Sequence, residues 1–181
     1  LGNHPKLRLT TLSWVSIKKD IAIRVSLELS ERSAPLAMSE LDNEWLVMVD
    51  GAARGNPGHA GCGAVILDGN GTVVKELSRY LGHATNNVAE YEALLMGLEA
   101  LFQLGKRRIR VQSDSQLLVR QLNGEYRVKD EQLKVLFQRA VTLLRQFQVY
   151  RILHVPREIN KLADRLANKG IDEAIKRSSL G

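Results

Sequence analysis

The sequence holds one cysteine, Cys62, so no internal disulfide can form, and its four histidines (His4, His59, His83, His154) are too few and too scattered for a structural zinc site. No apolar run approaches the ~20 residues that cross a bilayer, which excludes a helical membrane span. A basic-then-apolar leader ending in small residues is also missing, so a secretory route is not expected and a reducing cytoplasm is. No GxxxxGK[ST] run occurs, and Gly61 and Gly63 fall inside a strand pattern rather than opening a helix, so a P-loop is excluded as well.

What is present is an ordinary globular composition. The 181 residues are 44% hydrophobic and 25% charged, enough for one domain with a proper core and a short extension. The balance of 26 Lys+Arg against 20 Asp+Glu gives a net charge of +6, compatible with a polyanionic partner and equally with charge that serves solubility.

Residues 1–43 differ in character from the rest of the chain. Ile21, Ile23, Val25, Leu27 and Leu29 alternate with more polar residues, the pattern of a half-buried strand with no obvious partner. The sequence begins with Leu, and Met38 lies shortly before the first strong motif, so Met38 is expected to be the natural start and residues 1–37 to be upstream sequence. The expected division is an extension at 1–43, a domain at 44–175 and a tail at 176–181.

From Glu44 the punctuation becomes regular. Trp45 to Asp50 is apolar on both faces and ends at an aspartate, as a central strand would, and a glycine-rich bend, GAARGNPG, comes next. Residues 60–67 and 72–81 flank Asp68-Gly69-Asn70-Gly71, a hairpin signal. TNNVAEYEALLMGLEALFQLG reads as a helix that Asn86 or Asn87 can cap and Gly105 can close. A short strand, IRVQS, ends at Asp114. A two-turn helix stopped by Asn123-Gly124, a helix over roughly 130–147, a strand over 149–155 and a last helix after VPREIN complete the pattern. The order βββαβααβα predicts an α/β domain: a five-stranded mixed sheet, three antiparallel strands and then two parallel ones, flanked by helices.

Four carboxylates stand out in that frame. Asp50 and Asp114 end strands predicted to be parallel neighbours, so both leave the sheet at the edge where open α/β sheets bind ligands. Glu90 shares the inward stripe of its helix with Leu94, Gly97, Leu98 and Leu101, whereas Glu92 suits an ordinary place in the first turn. Asp164 shares a face of the last helix with Asn160, Ala167 and Ile171. Four such groups at one edge repel unless protons or cations neutralise them, and hard oxygen ligands select magnesium or manganese over zinc.

The segments VDGAARGNPG, TNNVAEYEAL, SDSQLLV and HVPREINKLADRLAN, in this order, resemble the four signature blocks of type 1 ribonuclease H, over about Glu44 to Asp172. The resemblance implies the ribonuclease H-like fold and endonucleolytic hydrolysis of the RNA strand of RNA·DNA hybrids by two Mg2+ ions, for which Mn2+ can substitute, leaving 5′-phosphate and 3′-hydroxyl ends. It implies that Asp50 bridges the ions, that Asp164 completes the water-activating side, and that Glu90 and Asp114 hold the leaving-group side. It also implies that His154 assists metal turnover and product release, a task that suits an imidazole as a proton carrier.

Contacts to RNA 2′-hydroxyls are implied for Asn56, Asn86 and Gln116, with backbone help near Ala53 and Ser115; their amides both donate and accept. Thr85 is implied on a DNA-strand phosphate, with Asn87 beside it, and Asn160 is grouped with the substrate-contacting residues. The chain departs from longer family members after Asp114, where it lacks the basic protrusion. Arg127, Lys129, Lys134 and Arg139 either take over that role or form a solvated helix face. A monomer without membrane contact is expected. Two alternatives stay open: a non-catalytic nucleic-acid-binding module of this fold, and another metal nuclease of this fold.

Overall fold

A computed structural model describes residues 44–180. The strand expected at 21–29 and the expected start at Met38 lie outside the described residues.

Five strands and four helices follow one another as β1 (Trp45–Gly55), β2 (Gly58–Leu67), β3 (Val73–Ala84), α1 (Asn86–Gln103), β4 (Arg108–Ser113), α2 (Gln116–Leu122), α3 (Glu131–Leu144), β5 (Val149–His154) and α4 (Lys161–Ser178). They build one sheet in the order β3-β2-β1-β4-β5. β1 runs antiparallel to β2 and β2 to β3, while β1 pairs with β4 and β4 with β5 in parallel, across helical crossovers. The expected mixed sheet is borne out. Among the described residues no helix is long and apolar enough to cross a membrane.

Helices cover both faces. α1 lies on β1 and β2, where Gly97 sits against Val47, Val49 and Ala64. α4 lies on the opposite face, where Met48 and Val65 pack with Ala163 and Leu166. Glycine makes both approaches possible. A Cβ on Gly51 would come 2.2 Å from the Glu90 nitrogen, and one on Gly63 would come 2.4 Å from the Ala163 oxygen.

The boundaries differ from the sequence expectation in several places, β2 starting at Gly58 and β3 running on to Ala84 among them. GAARG is not a bend but the second half of β1, paired residue by residue with β2 from Gly51↔Cys62 to Gly55↔Gly58. Gly51 is there for close helix approach, and the true turn is Asn56-Pro57, entered through Gly55 at φ +98°. Neither Asn86 nor Asn87 caps α1: Thr85 does, its hydroxyl accepting from the Val88 nitrogen at 3.3 Å. α3 stops at Leu144, and α4 runs on to Ser178, beyond the expected domain end at 175.

Candidate active site

Asp50 sits in the middle of β1, not at its end. It still lies at an edge, because the pairing of β1 with its parallel neighbour β4 stops at Met48↔Gln112. β4 leaves the sheet at Ser113, and Asp114 is the next residue. Opposite Asp50 on the other side is Gly63, whose bare backbone lets α4 close down on β2 and brings Asp164 over the same face. Glu90 arrives from early in α1, just past the first turn beyond the Thr85 cap, held against β1 by the Gly51 approach. Four elements therefore deliver four carboxylates to one place.

Their electrostatics are those of mutually repelling acids, which the Arg157 cation only partly offsets. Asp50 is 5% exposed, and burial, with the negative charges of Asp114 and Asp164, pushes its carboxyl up from the usual range to about 8. Glu90 is equally buried and is raised well above the usual range by the same burial, then by Asp50 and Asp114. One Glu90 oxygen, Oε1, takes a long bond of 3.4 Å from the Asn86 amide; the other, Oε2, is buried with no hydrogen-bond partner.

The remaining acids are held from outside. Asn160, fully buried, donates from Nδ2 to Asp114 Oδ1 at 2.8 Å and to the Val49 carbonyl at 2.9 Å. His154, exposed at the end of β5, donates from Nε2 to the Asp114 carbonyl at 3.2 Å. Asp164 accepts from Arg157 at 3.2 Å and from the Asn168 amide at 3.4 Å. Arg157 is the functional neighbour that sequence reasoning left without a role. It stands inside the HVPREIN block, but only the fold reveals which acid it faces.

This donor set fits a hard divalent cation. It consists of carboxylate oxygens, one of them orphaned, on groups whose charge is costly without a positive neighbour. Among the described residues no three acids or imidazoles are drawn together tightly enough to enclose an ion unaided.

The residues expected to touch substrate fall into three groups. Gln116 and Asn87 are exposed, at the starts of α2 and α1 respectively. Asn56, Asn86, Thr85 and Ser115 are part of the local framework. Asn56 Oδ1 accepts from the Asn86 nitrogen at 3.1 Å, Thr85 and Ser115 cap α1 and α2, and the Ser115 nitrogen already donates to Ser113 Oγ at 3.1 Å. Asn160 is the correction: with no exposed surface it braces Asp114 and cannot meet a substrate directly. Lys134 and Arg139 are engaged by Glu131, Glu92 and Glu99 at 2.5, 3.9 and 3.7 Å, as in an ion-paired helix face rather than a replacement protrusion.

Comparison with known proteins gives a consistent result. The family described as reverse transcriptase-like matches residues 48–170. The chain is 46% identical over 125 residues to the ribonuclease HI of Halobacterium salinarum, covering 69% of this chain and 63% of that protein. It is 43% identical over 130 residues to the bifunctional protein Rv2228c of Mycobacterium tuberculosis, covering 71% of this chain and 36% of that one. The chain thus spans less than two thirds of these relatives' lengths. Among solved structures, RNase H1 from Halobacterium salinarum superposes with a TM-score of 0.70 at 43% identity, over 72% of this chain and 98% of that one. LC11-RNase H1, solved in complex with an RNA/DNA hybrid, superposes with a TM-score of 0.70 at 42% identity, over 73% of this chain and 99% of that one.

Proposed function

The chain belongs to the type 1 ribonuclease H family, and from that premise we propose that it is an endonuclease hydrolysing the RNA strand of RNA·DNA hybrids. The observation that carries the reading is the meeting of Asp50, Glu90, Asp114 and Asp164, from four separate elements, with Asp50 and Glu90 buried and each raised by its acidic neighbours.

In this reading Asp50 and Asp164 would hold a water-activating Mg2+, and Asp50, Glu90 and Asp114 would hold a second on the leaving-group side, with Mn2+ able to replace either. When bound, the ions lower the pKa of the attacking water and neutralise charge on the scissile phosphate and the 3′ oxygen. Water adds to phosphorus, the P–O3′ bond breaks, and the 3′ oxygen gains a proton, leaving 5′-phosphate and 3′-hydroxyl ends. Asn160 fixes the Asp114 carboxylate so that it needs no reorganisation when the substrate arrives. His154, bonded to the Asp114 carbonyl and open to solvent, is placed to pass protons at the rim of the site.

Discrimination rests on the 2′-hydroxyl, the local mark of RNA. Gln116 offers it an exposed amide, and Asn56 is linked to Asn86, whose own amide lies beside Glu90. A single buried thiol, Cys62, and the nature of the substrate support a cytoplasmic setting, and the chain is read as acting as a monomer. The test is a gel assay of labelled RNA·DNA hybrid, single-stranded RNA, double-stranded RNA and double-stranded DNA, with and without Mg2+. Cleavage of the hybrid RNA strand alone, dependent on the ion, is the expected pattern. Metal-dependent cutting of double-stranded DNA in preference to the hybrid would replace the reading with another nuclease of this fold.

A further inference from the structure

We propose that the cleft beside Asp164 is a docking site for a backbone phosphate of the substrate next to the scissile one, held by Lys161 and Arg165. The inference rests on reading the carboxylate centre as a hybrid nuclease and adds a contact to it. The cleft has a volume of about 510 Å³ and is lined by Arg157, Glu158, Lys161, Asp164 and Arg165. Asp164 is both a wall of this cleft and a member of the carboxylate cluster, so a group seated here lies beside the reacting centre.

The charges in the cleft are unevenly committed. Arg157 is engaged by Asp164 at 3.2 Å. Lys161 and Arg165 are exposed, and among the described residues neither forms an ion pair. They stand four residues apart on α4, hence on one face and one turn apart. The cations farther along the same helix are treated differently, since Lys169 and Arg177 both reach Glu173, at 3.8 and 3.7 Å. α4 also begins without a side-chain cap, so its first amides add to the positive potential at the cleft.

The occupant is set by the walls. Glu158 and Asp164 disfavour a doubly charged terminal phosphate, whereas a phosphodiester brings one charge at a time. A polynucleotide also presents those charges in a row, so a strand cut beside Asp164 must carry its neighbouring phosphates past Lys161 and Arg165.

The test measures binding, independently of cleavage, in buffer free of divalent ions. The affinity of a labelled RNA·DNA hybrid is followed by fluorescence anisotropy over a series of KCl concentrations for the wild type, for K161A/R165A, and for K176A/R177A at the far end of α4 as a control. Each lost phosphate contact lowers the slope of log K against log[salt] by about 0.9. The expected result is a slope shallower by about 2 in K161A/R165A and unchanged in K176A/R177A, with both variants melting as the wild type does.

A second series places one uncharged methylphosphonate at successive positions of the RNA strand. At one position it should weaken binding to the wild type several-fold and leave K161A/R165A unaffected. An unchanged slope in K161A/R165A, an equal loss in K176A/R177A, or a methylphosphonate penalty that persists in K161A/R165A at every position would overturn the proposal. Absence of hybrid cleavage by the wild type would instead count against the nuclease reading, and the binding series would still decide the subsite.

Discussion

Asn160 ties the start of α4 to β1 and to the residue that follows β4, its amide donating to the Asp114 carboxylate at 2.8 Å and to the Val49 carbonyl at 2.9 Å from a fully buried position. The same atom that closes the core therefore aims an active-site acid. Asn160→Ala should lose about 1–3 kcal/mol in urea unfolding, because the Val49 carbonyl is left buried without its donor. Steady-state kinetics on a hybrid should show the larger effect in kcat, with KM changing little. Asn160→Asp, which faces Asp114 with a like charge, should be worse on both counts. A variant as stable and as fast as the wild type would show that the brace is dispensable.

The raised carboxyl of Asp50 makes stability depend on pH. Its acid is uncharged in the folded chain up to about pH 8 but ionises near 4 when unfolded, so folding takes up a proton between those limits. Its contribution is fully favourable below pH 4, declines as pH rises, and is lost above about 8. Asp50→Asn removes that dependence. Without divalent ions it should match the wild type near pH 4 and exceed it by ~2 kcal/mol or more near pH 9. Thermal melts across that range check it, and a constant difference at every pH would contradict the assignment. Added Mg2+ should raise the wild-type Tm and leave Asp50→Asn nearly unchanged.

Close approach makes a glycine prediction possible. Gly63→Ala would place a methyl 2.4 Å from the Ala163 oxygen and 2.5 Å from the Ala167 nitrogen, so α4 must move and carry Asp164 with it. Overpacking of this kind costs about 1–3 kcal/mol, and the displaced acid should lower kcat further. Gly71→Ala, at φ +81° in open space, should cost only its backbone strain of about 1–2 kcal/mol and leave kcat intact. Comparing kcat between the two at matched stability separates site geometry from folding.

The sugar-reading residues separate cleanly in this fold. Because Thr85 caps α1, Asn86→Ala need not cost a helix cap, and its loss falls on Asn56 and Glu90 instead. Gln116 is exposed and is the cleaner probe. Gln116→Ala should raise KM about 2- to 13-fold, the equivalent of one hydrogen bond of roughly 0.5–1.5 kcal/mol. It should also blunt the penalty for a single 2′-deoxy substitution at the contacted nucleotide. An undiminished penalty would mean that Gln116 does not read the sugar.

Much of this was legible in the sequence because hydrophobic period and chain order carry it. Glu90 on the stripe of Leu94, Leu98 and Leu101 could face only inward, and the alternation of helices and strands after β3 required parallel neighbours that bring Asp50 toward Asp114. What stayed hidden depends on the partner rather than the residue. Gly51 reads as a turn signal in isolation, yet the fold uses it as the place where α1 touches β1. Asn outranks Thr as a helix cap in general, but Asn86 is turned toward Glu90 and Thr85 takes the cap. Asn160 and Arg157 carry no local sign of their tasks, because the acids they hold are far away in the chain or a full helix turn beyond it.

If the four carboxylates form a cation-dependent site for cutting RNA in a hybrid, the wild type and Asp50→Asn must differ in cleavage and not in binding. Wild-type protein and Asp50→Asn are incubated with end-labelled RNA·DNA hybrid, with Mg2+ and with chelator, and hybrid binding is measured in parallel. The wild type should cut the RNA strand only with Mg2+, leaving 3′-hydroxyl ends, and Asp50→Asn should bind the hybrid without cutting it. Appreciable cleavage by pure Asp50→Asn, or wild-type cleavage unaffected by chelator, would contradict that role for the carboxylates.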